Sequence, residues 1–118
     1  MTITRLDPAD RWSEAVIHND VIYYTSVPAD LTGDAYQQTQ SALSEIDTIL
    51  ARANSDKTQI LDATIFIVDK ADFQAMNKAW DEWVAKGQAP VRCTVQAGLM
   101  KDSYKVEIKI VAAVKKPS

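Results

Sequence analysis

The chain has 118 residues, 47% of them hydrophobic, with 13 basic residues against 16 acidic ones and a net charge of −3; that length suits one domain, residues 1–118, with a small core, and leaves no room for a second. No clustered excess of Lys and Arg offers a cationic surface to phosphate backbones, which excludes nucleic acid as a principal ligand. The single cysteine, Cys93, excludes an internal disulfide; the opening MTITRLDPADRW lacks the apolar core of a signal peptide, and no apolar run approaches the roughly 20 residues that span a bilayer, so a soluble cytoplasmic protein without membrane association is expected.

In chain order, Thr2 to Leu6 reads as a short strand, followed by Ala15 to Ile17 and Val21 to Ser26. The connection His18-Asn19-Asp20 joins the last two as a hairpin, because Asn and Asp tolerate turn conformations. From Asp34 to Ala53, Tyr36, Thr39, Leu43, Ile46 and Leu50 recur at helical spacing. Thr32 or Asp34 can cap the start of that helix, and Asn54-Ser55 closes it.

Ile60 to Val68 is strand-like, with Leu61, Ala63, Ile65 and Ile67 as its apolar parity. Asp69, with Asp72 three positions on, predicts a helix start, and Phe73, Met76, Trp80, Trp83 and Val84 its buried stripe, with Gly87 as the left-handed terminator. Two final strands, Val91 to Ala97 and Tyr104 to Val114, follow. Lys115 to Ser118 reads as a frayed tail.

This order predicts an α+β fold in which a mixed sheet carries both helices on one face. On the final strand pair, Val91, Cys93 and Val95 are expected on the helix side with Val106, Ile108 and Ile110. That leaves Arg92, Thr94, Gln96, Lys105, Glu107 and Lys109 on the opposite face, with Phe66 and Val111. Such a face is too polar for a core but apolar enough to be partly covered by another subunit.

Most site chemistries are absent from the motifs. One His and one Cys cannot supply a usual zinc ligand set, and there is no HExxH, CxxC, Walker or GxGxxG pattern, so no metal and no cofactor are implied. His18 falls in a turn, where a solvated imidazole is the plainer reading. Arg92, an always-charged fork within an apolar alternating run, needs a partner, and a small carboxylate suits it. If strands 91–97 and 104–114 pair as a hairpin, Arg92 and Glu107 lie close on one face and could frame a pocket. Spacing alone favours the plainer alternative, a structural Arg92–Glu107 ion pair within a solvated charge stripe. Asn77 shares a helical stripe with Phe73 and Trp80, so its amide should find a partner, either a strand end or a site loop. Trp80 and Trp83 read as packing bulk.

The segments AVIHNDVIYYTSVPADL, DATIFIVDKADFQAMNKAWDEW and APVRCTVQAGLMKDSYKVEIKIVAAV together resemble the Rid (YjgF-type) family of enamine/imine deaminases, in particular its bacterial YoaB-type members. The likeness runs through nearly the whole chain, and its most specific part is Pro90-Val91-Arg92 followed fifteen residues later by Glu107. The resemblance implies a chorismate-mutase-like subunit in a homotrimer whose sheets line a central barrel, with clefts between neighbouring subunits. It implies hydrolysis of 2-imino or enamine acids to 2-keto acids and ammonia without a cofactor, Arg92 holding the carboxylate and Glu107 positioning water. Trp12, Thr25, Ser26, Asn77, Cys93 and Thr94 take the remaining substrate-binding positions.

This chain departs from the family pattern in three places. Trp12 replaces a Tyr, Ser26 a Gly, and Thr94 a frequent Cys, while Cys93 moves to the other strand parity and is expected in the core. Those departures sustain a rival reading, a protein that binds 2-keto acids or similar small carboxylates at the subunit cleft without turnover and modulates a partner. A ribonuclease, also reported for the family, is disfavoured by the absence of a His pair or basic groove.

Overall fold

The computed structural model describes residues 2–116. In chain order the elements are β1 (Thr4–Pro8), β2 (Ser13–His18), β3 (Val21–Ser26), α1 (Ala35–Arg52), β4 (Ile60–Ile67), α2 (Phe73–Trp83), β5 (Val91–Gln96) and β6 (Val106–Ala113). One six-stranded sheet has the order β1-β2-β3-β6-β4-β5. Every neighbouring pair is antiparallel except β4 and β5, which α2 joins as a parallel crossover. The α+β class, with two helices and a mixed sheet, is as expected. Neither helix is long and apolar enough to cross a membrane.

Local chemistry explains the best-predicted elements. The β2–β3 turn places Asn19 and Asp20 at φ 53° and 63°, the left-handed pair that a two-residue hairpin requires and that Asn and Asp adopt most readily. Asp34 caps α1 by accepting from the Gln37 amide, while the Gln37 side chain accepts from the Asp34 amide. This reciprocal box contributes about 1 kcal/mol. Along α1, Leu43, Ile46 and Leu50 are fully buried against Ile22 of β3, Ile65 of β4 and Ile108 and Ile110 of β6, in one core that Met76, Ala79 and Trp80 of α2 complete.

The structure corrects several expectations. Strands β5 and β6 do not form a hairpin: β4 lies between them, so the segment after β5 passes over the sheet end before β6 enters beside β3. Arg92, Thr94 and Gln96 pair with Ala63, Ile65 and Ile67, whose side chains are buried beneath the helices. They therefore share the helix face, and Val91, Cys93 and Val95 point the other way, the reverse of the predicted parity. Cys93 is exposed rather than in the core. Leu61 leaves the apolar set because a bulge between Ile60 and Asp62 inserts one residue against β6, turning it out to 51% exposure while Ile60 is buried.

At the second helix, Asp69 caps only a short 3-10 turn, Lys70–Asp72; α2 itself begins at Phe73 after Asp72, whose side chain makes no cap. Phe73, placed by spacing in the buried stripe, is half-exposed at the start of that helix. Gly87 does adopt a left-handed φ of 78°, but in the turn beyond the helix end. Of the tail expected at 115–118, the Lys115 amide donates to Asn54 O and the Lys116 ammonium pairs with Asp20; Pro117 and Ser118 lie outside the described residues.

Candidate functional site

Arg92 sits on β5, the outermost strand beyond β4, with its guanidinium carbon 5.3 Å from the centre of the Trp80 ring. Trp80 is 5% exposed, so it is a fixed aromatic floor, and stacking on it orders the fork without consuming its hydrogen-bond donors. Among the described residues the ion pairs are Arg52–Asp7, Lys115–Asp56 and Lys116–Asp20. Arg92 belongs to none of them.

The Arg92–Glu107 pair does not exist within the chain. Glu107 on β6 pairs with Phe66, and Phe66 in turn with Val95, all on the face that carries no helices. Arg92 occupies the helix face two strands away, roughly 10 Å across the sheet. This removes the structural ion pair as an explanation of the arginine.

On the helix face the structure brings Arg92 and Trp80 together, with Thr94 on the same face of β5; Asn77 lies on α2 between Phe73 and Trp80. Phe73, Asn77 and Trp80 follow one another at four- and three-residue intervals along α2, hence on one side of it. Arg92 meets Trp80 at one end of that line, while Thr94 and Gln96 meet Phe73 at the other. Thr94 Oγ1 is buried and has no hydrogen-bond partner among the described residues. A buried unpaired hydroxyl costs about 1–3 kcal/mol, so this one beside a guanidinium is a notable feature of the site.

The remaining predicted residues lie elsewhere. Trp12, 67% exposed in the β1–β2 connection, and Thr25 of β3 line an open cleft of about 670 Å³ with Glu14, Tyr23, Tyr24 and Lys109. Burial raises the Tyr24 phenol above its ordinary pKa, and the negative charge of Glu14 and Glu45 reinforces the shift. The Ser26 hydroxyl is committed to Ala42 O at 2.7 Å and fully buried, so only its backbone is left for a ligand. Cys93 Sγ donates to Thr64 Oγ1 at 3.8 Å on the helix-free face. His18 Nδ1 lies 3.5 Å from Thr2 O, and no cluster of metal-ligating side chains occurs among the described residues.

Sequence reasoning missed Gln38. This fully buried amide donates to Ser103 O and Leu31 O and accepts from the Lys105 amide, tying the segment between β5 and β6 to α1. Its place one helical turn before Ala42 and beside Thr39 was the available signal.

Comparison with known proteins matches this sequence and fold. Residues 2–114 fit the family model described as Endoribonuclease L-PSP. The RutC family protein YoaB of Escherichia coli K12 is 63% identical over 114 residues, covering 97% of this chain and all of that one. The 3-aminoacrylate deaminase RutC of Acinetobacter baylyi is 34% identical over 97 residues, 82% of this chain and 70% of its own. A crystal structure from Neisseria meningitidis, described as a member of the YjgF protein family, superposes with a TM-score of 0.96 at 40% identity, covering 99% of this chain and 98% of that one. By sequence match from the first strand to the last, and by the same fold, the chain belongs to the Endoribonuclease L-PSP (YjgF/Rid) family.

Proposed function

We propose that the protein hydrolyses 2-imino acids and their enamine tautomers to 2-keto acids and ammonia, in clefts between the copies of a cytoplasmic homotrimer. The observation that carries this reading is Arg92: a half-buried guanidinium stacked on Trp80, in no ion pair among the described residues, beside the orphaned Thr94 hydroxyl. Such a fork matches a carboxylate in two parallel hydrogen bonds. The Acinetobacter relative, by its name a 3-aminoacrylate deaminase, supports the reaction type.

The chemistry asks little of the protein. An enamine takes a proton at its terminal carbon to become the imine; water adds to the imine carbon, the nitrogen gains protons, and the resulting carbinolamine expels ammonia as its C–O bond becomes the ketone. Imines hydrolyse in water unaided, so rate is gained by fixing the acid through its carboxylate and placing one water against the carbon. Arg92 performs the first task. Glu107 positions the water, and because it lies on the face opposite Arg92 in its own chain, it does so from a neighbouring copy. Trp12 and Thr25 come with it on that second wall. The helix-free sheet face, where Val91 is 74% and Val95 41% exposed, is the surface the copies bury, closing a barrel.

The same separation favours a second reading, a site that binds 2-keto acids without turnover, since no carboxylate among the described residues pairs with Arg92. One assay decides between them. An amino acid oxidase generates the imine, and 2-keto acid release is followed in competition with semicarbazide. The wild type should accelerate release and Arg92→Ala should not; saturable keto-acid binding without acceleration establishes the second reading, and full activity in Arg92→Ala contradicts both.

A further inference from the structure

On the same face of β5 as Arg92, two residues along at Thr94, lies a cavity of about 300 Å³ lined by Ile67, Lys70, Phe73, Thr94 and Gln96. Ile67 is 3% exposed and forms a rigid hydrocarbon wall; Phe73 is 38% exposed although it is a large apolar residue at a helix start. The cavity and the guanidinium share a strand face, and Trp80 and Phe73 mark their positions on α2, about 10 Å apart along the helix axis at 1.5 Å per residue. An acid anchored at Arg92 and extended along this strand face would pass Thr94 and reach Phe73 with its side chain.

We infer that this cavity receives the substrate's side chain, and that the site selects 2-imino acids with apolar side chains of about four to seven carbons over those bearing a methyl group. The inference rests on the reading of Arg92 as carboxylate anchor and adds the substrate class. A methyl group leaves the cavity unfilled and Phe73 in water, whereas a branched or benzyl side chain covers both. The Lys70 ammonium on the cavity wall opposes cationic side chains.

The test is calorimetric titration of the full chain with 2-oxopropanoate, 4-methyl-2-oxopentanoate, 3-phenyl-2-oxopropanoate and 2-oxopentanedioate, which share the carboxylate and second carbon of the products. The second and third should bind about tenfold or more tightly than the first. In Phe73→Ala, and separately in Gln96→Trp, which fills the cavity from an exposed position, that ratio should collapse below about threefold. A flat series abolished by Arg92→Ala would overturn the cavity assignment alone, as would tightest binding of the dicarboxylate or an unchanged ratio in both variants. Absence of all binding would overturn the cavity and the anchor together. Because the titration needs no turnover, failure of imine hydrolysis leaves the result decisive.

Discussion

Arg92 and Glu107 stand on opposite faces of one sheet, separated by β4. A structural ion pair is thereby excluded within the chain, and with it the stability such a pair would lend. Arg92→Ala should therefore keep its thermal midpoint within about 2 °C of the wild type, whereas a buried pair broken on one side costs about 3–5 kcal/mol. Arg92→Lys retains charge but not the planar fork; its kcat/KM for imine hydrolysis should fall by about 100-fold, with thermal melting and stopped-flow measurement as the two checks.

Thr94→Val exchanges an orphaned buried hydroxyl for a methyl of the same shape. Urea denaturation should show the variant unchanged or up to about 1 kcal/mol more stable, since an unsatisfied polar group is removed without leaving a cavity. A loss of 2 kcal/mol or more would mean that the hydroxyl is bonded in the folded protein.

Gln38→Leu removes one amide from three backbone partners, at Leu31, Ser103 and Lys105. The expected cost is about 2–4 kcal/mol in urea unfolding. Amide exchange at Lys105 should accelerate out of proportion to the global change, because its acceptor is lost directly.

Two surface carboxylates contribute to the acid limb of stability. Asp7 titrates below its ordinary value chiefly because the Arg52 guanidinium hydrogen-bonds it, and Asp56 chiefly because the Thr58 hydroxyl does. A depressed folded pKa contributes stability that is complete above the unfolded value, about pH 4, and is lost as the pH falls through the lower folded value. Thermal midpoints of Asp7→Asn and Asp56→Asn should lie below the wild type at neutral pH and converge with it as the pH approaches about 2.

How much of this was legible in the sequence depends on whether local chemistry or pairing decided it. The Asn19-Asp20 hairpin and the Asp34 cap are written in residues a few positions apart, and α1 in a period that only one face can satisfy. The β5–β6 arrangement is not local: two strands joined by a short segment suggest a hairpin, but β4 had already taken the place between them. Alternation in Val91 to Gln96 showed that two faces differ, without saying which meets the helices. The apolar set Val91, Cys93 and Val95 looks like core because it faces away from the helices on a surface that remains partly apolar. Within the site, Arg92 and Thr94 were identifiable as residue types, but Trp80 as the arginine's floor, Phe73 at the cavity and Glu107 on the far face emerged only from register.

The composite site is tested most directly by subunit mixing. Arg92→Ala and Glu107→Gln, each inactive as a pure assembly, are refolded together in equal amounts and assayed for imine hydrolysis. If every cleft takes its arginine from one copy and its glutamate from the next, about one quarter of the clefts in random trimers regain both, and about that fraction of wild-type activity should return. Activity that stays at the level of the pure variants would contradict the account, as would a fully active Arg92→Ala.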